Sequence, residues 1–338
     1  MISLPTGAAV RCDYSVLAID AEREVARICA ALRDAVHRDL QRRGVVLGLS
    51  GGVDSSVCAS LAARALGPDK VLAVLLPERE SSPRSAELAM LVVEALGIAW
   101  ERFDISAALD ALGCYTRRDE AIRTLIPEYQ PDWKWKVVIS GGHSIGVNHF
   151  RVVAESPDGR RADLRLPYRQ YKDIMAATNY KQRVRKNIEY FHAERLQYAV
   201  LGTANRLEHD QGFFVKNGDG AADVKPIAHL YKSQVYALAE YLGVPQAIRA
   251  LPPSTDTFSM AQDQRELHFG LPYQEMDLAL WAHDHGVPAA TLATALAVTD
   301  ETATLIYRDV EAKRRATRYN HAAPLYIEDV PIPMEHSP

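Results

Sequence analysis

Four short apolar runs, at residues 45–49, 71–76, 100–105 and 198–202, are separated by segments of helical periodicity at 55–66, 85–96 and 171–196. The first run, Val45-Val46-Leu47-Gly48-Leu49, offers no polar side chain to a solvent face. A strand of that kind must be covered on both sides, which is the condition of a parallel sheet wrapped by helices. Upstream, Val25, Ile28, Leu32, Val36 and Leu40 recur at helical spacing, so 13–43 reads as an amphipathic helix. The expected class is α/β, with a doubly wound parallel sheet.

One stretch breaks the alternation. Within 131–167, "DWKWKVVISGGHSIGVNHFRVVAESPDGRRADLRLP", two alternating runs flank Gly141-Gly142 and a third follows Pro157-Asp158-Gly159. This predicts a β-hairpin or small meander inserted in the α/β core. Residues 273–318 read as mainly helical, and 319–338 as a proline-rich, extended tail. The whole of 1–338 is expected to form one domain with the insertion inside it.

Composition narrows the partners. Of 338 residues, 48% are apolar and 24% charged, as in an ordinary globular protein. A formal charge of -4 and a pI near 6.3 give no reason to expect a nucleic-acid partner. Cys12, Cys29, Cys58 and Cys114 are scattered with no CxxC pair, which argues against a zinc site or a disulfide framework. The amino terminus lacks a basic start followed by a long apolar run, and no window approaches the ~18 uninterrupted apolar residues of a membrane helix. No membrane association is expected, and cytoplasm is the expected compartment.

The first apolar run ends in Ser50-Gly51-Gly52-Val53-Asp54-Ser55-Ser56, where a helical pattern begins. Ligands of open parallel sheets bind beyond the carboxyl ends of the strands. A helix amino terminus there presents unpaired N–H groups and partial positive charge, which suit phosphate. Gly51 and Gly52 permit close backbone approach, and Ser50, Ser55 and Ser56 can donate hydroxyls. Asp54 would repel phosphate unless a Mg²⁺ lies between them. The loop lacks the Lys of GxxxxGK[ST] and is not a dinucleotide GxGxxG. Its bland reading is a capped helix whose glycines serve only the turn.

The second half adds polar residues in a similar setting. The last apolar run ends at Gly202-Thr203, and Glu208 follows. Asp54 and Glu208 would then sit at two strand ends, placed to share one metal ion. Asn179 and Arg183 lie four apart on one helical face. Lys216, Asp219, Asp223 and Lys232 crowd a glycine-rich segment. Each has an ordinary alternative: Arg183 and Lys232 as solvated surface, Glu208 as a helix cap, Asp223 as the holder of a turn.

Taken in order, SGGVDSS, NYKQR, VLGTANRLE, FFVKNGDGAAD, LYKSQV and PPSTD closely resemble the ammonia-dependent NAD synthetases, a branch of the ATP pyrophosphatases. The likeness covers 45–76 and 179–273 and weakens in the tail. It implies a Rossmann-like fold of the adenine nucleotide alpha hydrolase type. It implies a ligase that adenylates a carboxylate, with nicotinate adenine dinucleotide the leading acid, and displaces AMP with ammonia. By resemblance, Ser50, Gly51, Gly52, Asp54, Ser55, Ser56, Thr203, Lys232 and Ser254 would hold ATP. Asp54 and Glu208 would bind Mg²⁺, and Asp54, Lys232 and Thr203 would serve catalysis. Asn179, Arg183, Lys216, Asp223 and Lys313 would contact the acid. The family is homodimeric, with its substrate site near the subunit interface. The residues before Val45 are too few for a glutaminase domain, and Ile2 follows Met1, so free ammonia or a separate glutaminase is the expected nitrogen source.

The chain departs from the family at three places. An Arg-Leu-Pro whose arginine contacts ATP is replaced by Leu75-Leu76-Pro77-Glu78-Arg79-Glu80, so Arg79 either substitutes for it or pairs with a nearby glutamate. A His-Lys pair reads Ala312-Lys313. The 131–167 insertion carries Trp133 and Trp135, which either stack on a flat ligand or pack the hairpin onto the core. The alternatives are amidation of another acid, such as a specialised metabolite or sugar acid, thiolation of a tRNA base, and a nucleotide-binding regulator without turnover. Scattered cysteines and net acidity disfavour the thiolation reading.

Overall fold

The computed structural model describes residues 11–140, 149–252, 258–260 and 271–328. The chain begins with α1 (Ala21–Asp34), β1 (Val45–Gly48), α2 (Val53–Leu66), β2 (Val71–Leu75), α3 (Pro83–Leu96), β3 (Ala99–Arg102), α4 (Ser106–Ala111) and α5 (Cys114–Arg123). Three further strands follow, β4 (Lys134–Ser140), β5 (His149–Glu155) and β6 (Arg161–Arg165). Then come α6 (Tyr168–Thr178), α7 (Tyr180–Leu196), β7 (Ala199–Val200) and α8 (Arg206–Asp210). The remainder is helical: α9 (Lys232–Tyr241), α10 (Gln246–Arg249), α11 (Tyr273–Asp284), α12 (Ala289–Leu296) and α13 (Asp300–His321).

The apolar runs build a parallel sheet in the order β3-β2-β1-β7, with Val45 opposite both Val71 and Ala199. Its side chains alternate between two buried layers. Val45 and Leu47 pack with Val25, Ile28, Val57 and Leu61 of α1 and α2. Val46, Leu72 and Val74 pack with Leu109, Tyr115 and Val184 of α4, α5 and α7. Val45, Val46 and Leu47 are wholly buried, and each such side chain contributes about 1.5–3 kcal/mol relative to exposure. β3 is the exposed edge and ends at Arg102, short of the expected 105, because Ile105 turns inward ahead of α4.

Two expected helices are divided. The 13–43 segment holds a 3₁₀ turn at Tyr14–Leu17, α1, and a wider turn at Ala35–Asp39. The division is set by Asp13 and Asp20, whose side chains accept the N–H groups of Ser15 and Arg23 and start separate helices. The 171–196 segment is α6 and α7, interrupted at Asn179. There the Thr178 hydroxyl donates to the Ile174 carbonyl at 2.8 Å, a back-bond that bends helices.

The insertion is a three-stranded antiparallel sheet, β4-β5-β6, and not a lone hairpin. Its connection at Gly141-Gly142 lies outside the described residues. Trp135, Val137, Val152 and Ala154 pack on Ile122 of α5 and Ile174 of α6, giving the insert its own core. A further core joins α11, α12 and α13 to Leu17, Leu207 and Tyr231. α13 extends to His321, so the extended tail begins at Ala322 and not at residue 319. Among the described residues no helix is long and apolar enough to cross a membrane.

Candidate active site

Because β1 and β7 are parallel neighbours, their carboxyl ends open onto the same edge of the sheet, and a cleft of about 610 Å³ lies there. Ser50, Gly51, Gly52, Asp54 and Ser55 line it. Gly51 has φ +78°, and a Cβ at that position would meet the Ser85 carbonyl oxygen at 2.5 Å, so α3 packs against bare backbone. Gly52 begins α2 without a side-chain cap. Ser55 and Ser56 donate their hydroxyls back to the Gly52 carbonyl at 3.1 and 2.8 Å. Ser56 is wholly buried and holds the turn from beneath.

Lys232, at the start of α9, donates to Asp54, the second residue of α2. Asn205 joins the second acid to the pair: its amide donates to Asp54 at 3.2 Å, and its carbonyl oxygen accepts the Glu208 N–H at 3.1 Å. Glu208 completes a capping box by accepting the Asn205 N–H at 3.3 Å, so the capping reading of Glu208 holds alongside its place in the cleft. Burial disfavours the Lys232 ammonium, but the charges of Asp54 and Glu208 outweigh it and raise its pKa above the ordinary lysine value. Lys232 is thus buried, paired and charged, not surface. Asp277 on α11 accepts the N–H groups of Lys232 and Ser233 at 3.2 and 2.7 Å and fixes this end of α9. Thr203, just beyond β7, lines the cleft beside them.

The cleft also contains charge that short motifs did not reveal. Lys186 pairs with Glu189 at 2.6 Å, both buried, and both line the cleft with Asp219. Burial raises the Glu189 carboxyl pKa against the opposing charge of Lys186. A Cβ on Gly48 would lie 2.9 Å from Glu189, so this glycine of β1 makes room for the acid. Behind the cleft, the Lys181 ammonium binds Glu78 at 2.9 Å and Glu80 at 2.6 Å, and Arg118 binds Glu80 at 2.6 Å. All four side chains are at most 9% exposed. Lys181 and Arg185, which flank Arg183 on α7, both reach the cleft.

The residues expected to contact the acid are less gathered. Asn179 lines the cleft. Arg183 donates to the Lys216 carbonyl at 3.3 Å, and Lys216 donates to the Tyr319 and Ala322 carbonyls at 2.9 and 2.8 Å. Asp223 accepts the Val200 N–H at 2.8 Å, as a residue that holds the backbone would. Lys313 pairs with Asp309 at 2.6 Å on α13. Their side chains lie outside the cleft lining, which α13 reaches instead through Thr317 and Asn320. Ser254 lies outside the described residues. Arg79 pairs with Asp110 at 3.3 Å and stacks on Tyr115, turned from the cleft. Trp133 and Trp135 are buried, and the Trp135 indole N–H donates to Glu80 at 3.3 Å, so both pack the insert.

Three observations bear on chemistry. Burial raises the pKa of Cys29, Cys58 and Cys114, and of half-buried Cys12, so none of the four thiols is activated as a nucleophile. Among the described residues, no group of three or more His, Cys, Asp and Glu side chains is arranged to hold a metal. Asp54 and Glu208 nevertheless both act on the one Lys232 cation, and two carboxylates are fewer oxygens than a hard divalent ion takes, so the rest would have to come from a ligand.

Comparison with known proteins gives a consistent picture. A family model described as NAD synthase matches residues 24–125 and 160–319. The chain is 52% identical to the NH(3)-dependent NAD(+) synthetase of Rhizobium rhizogenes over 319 residues, 93% of this chain and 95% of that one. Among solved structures, the NH3-dependent NAD synthetase from Campylobacter jejuni superposes with a TM-score of 0.60 at 21% identity, covering 92% of this chain and 100% of that one. The NMN synthetase from Francisella tularensis does so with a TM-score of 0.60 at 22% identity, covering 91% and 99%. At such identities the structural likeness is one of fold.

Proposed function

The chain belongs to the NAD synthase family, and from that premise we propose that it is an ATP-dependent ligase that converts the carboxylate of nicotinate adenine dinucleotide into the amide of NAD. Identity of 52% over 93% of the chain to an NH(3)-dependent NAD(+) synthetase is the observation that carries this reading. ATP is the co-substrate and ammonia the nitrogen donor.

A carboxylate resists ammonia because hydroxide is a poor leaving group. In the proposed reaction, the carboxylate oxygen attacks the α phosphorus of ATP, forming the acyl adenylate and releasing pyrophosphate. Ammonia then attacks the acyl carbon, the bond from that carbon to the AMP oxygen breaks, and one proton is released. The loop 50–56 and the start of α2 would seat the phosphates through backbone N–H groups and hydroxyls. Lys232, held cationic, would stabilise negative charge gathering on the departing pyrophosphate, and a charge-assisted hydrogen bond is worth roughly 1.5–3 kcal/mol. Thr203 adds a hydroxyl from the end of β7. Asp54 and Glu208 would hold Mg²⁺ together with phosphate oxygens, and its charge would neutralise the triphosphate. Asn179 is the acid-contacting residue favoured by its place in the cleft. Arg183, Lys216, Asp223 and Lys313 would act by holding the segments around it, and the family's homodimer would bring further groups to the acid. Cytoplasm, with free ammonia or a separate glutaminase, completes the reading.

The test supplies the full chain with ATP, Mg²⁺, ammonium and nicotinate adenine dinucleotide. NAD, AMP and pyrophosphate should appear in equal amounts. ADP in place of AMP overturns the chemistry. A higher kcat/KM for another acid in a panel, nicotinate mononucleotide included, overturns the acceptor while leaving adenylation standing.

A further inference from the structure

The family match omits residues 126–159, which hold β4 and β5 of the inserted sheet, yet β5 reaches the cleft. Phe150, on β5 opposite Ile139 of β4, stacks on Tyr171 of α6 with ring centroids 3.9 Å apart and planes 13° apart. Both rings line the cleft, as does Met175 one helical turn beyond Tyr171. All three side chains are half-buried, and below them Val152, Leu166 and Ile174 are closely packed and buried. The result is a firm aromatic ledge on a wall otherwise rich in charge. A phosphate loop has no use for such a surface, but both substrates carry flat heteroaromatic rings. Parallel stacking on an aromatic face, with Met175 alongside, is a favourable setting for either ring.

We propose that the inserted sheet furnishes a stacking seat for the flat ring of a bound substrate, with Phe150 as the specificity-determining residue and Tyr171 as its support. The inference rests on the function proposed above. The ring belongs to ATP or to the acid, two sources of one chemistry that kinetics separate. Phe150 itself performs no bond-making step.

The experiment compares Phe150→Leu, which keeps an apolar side chain of similar bulk, with Phe150→Tyr, which keeps the aromatic face. KM is measured separately for ATP and for the acid in the full chain, alongside thermal unfolding. Phe150→Leu is expected to raise KM for one of the two by about three- to tenfold, with kcat and the other KM little changed, and Phe150→Tyr to stay near the wild-type value. A selective rise for ATP assigns the seat to the adenine of ATP, and one for the acid assigns it to a ring of the acid. Nicotinate mononucleotide, which has no adenine, is then used as an inhibitor: weaker inhibition of Phe150→Leu marks the pyridine, while unchanged inhibition marks the acid's own adenine. Unchanged KM values, equal effects of the two variants, or a joint rise of both KM values with a lowered Tm overturn the proposal. A wild-type chain that turns over a different acid overturns the function above instead, and the seat is then tested with that acid and ATP.

Discussion

Lys232 shows how the surroundings of a single side chain can be misjudged from sequence. Taken alone on an amphipathic helix it reads as solvated, yet only 2% of its side chain is exposed and Asp54 holds it. In its proposed role, stabilising charge that develops on the leaving group, it should matter to rate more than to binding. Lys232→Met is expected to lower kcat by roughly 10²–10³, as removal of one preorganised donor does, while KM for ATP changes less. Pyrophosphate release under saturating substrates measures this. A second residue concerns stability. Hydrogen bonding from Arg27, opposed by burial and aided by His229, lowers the Glu24 carboxyl from 4.5 to about 2. Its folded value lies below its unfolded one, so its contribution is present above pH 4.5 and fades as pH falls towards 2. The stability gap between wild type and Glu24→Gln should therefore close over that window, as followed by urea unfolding at stepped pH.

At the scale of elements, the insert is fastened to the nucleotide core by buried charge. Glu78 and Glu80 follow β2, Lys181 lies on α7, Arg118 on α5, and Trp135 of β4 donates into the group. Lys181→Met strips the cation from two buried carboxylates and should cost roughly 3–5 kcal/mol, visible as a lowered urea midpoint. The sequence did not disclose this cluster, because its members are brought together across 103 residues by folding and no local spacing records that. By contrast, β1, β2 and the SGGVDSS loop were legible, since an unbroken apolar run followed by glycines admits few local structures. The ends of helices were legible only in part: the caps at Asp13 and Asp20 act through side-chain geometry that periodicity overlooks. Arg79 illustrates the same limit, for its partner proved to be Asp110 on α4, 31 residues along the chain, and not a neighbouring glutamate.

Across the whole molecule, the carboxyl-terminal helix is drawn onto the glycine-rich segment that lies beside the cleft. Gly212 has φ +65°, and a Cβ there would stand 2.2 Å from the Thr317 Cβ. Arg314 bridges Asp210 and Asp284, and Lys216 binds carbonyls at the end of α13. Gly212→Ala should push α13 outward and raise KM for the acid more than for ATP, with Thr317→Gly added to it recovering part of the loss in steady-state assays. The Lys232 pairing has a consequence at this scale as well. The carboxylates of Asp54 on α2 and Glu208 on α8 would face each other's charge uncompensated, were the lysine not already acting as their resident counterion. The protein thereby carries a placeholder for the metal it is proposed to recruit. Treatment with EDTA is accordingly expected to silence turnover while leaving the melting temperature where it was, so that the enzyme can wait, intact and idle, for nucleotide and ion to arrive as one.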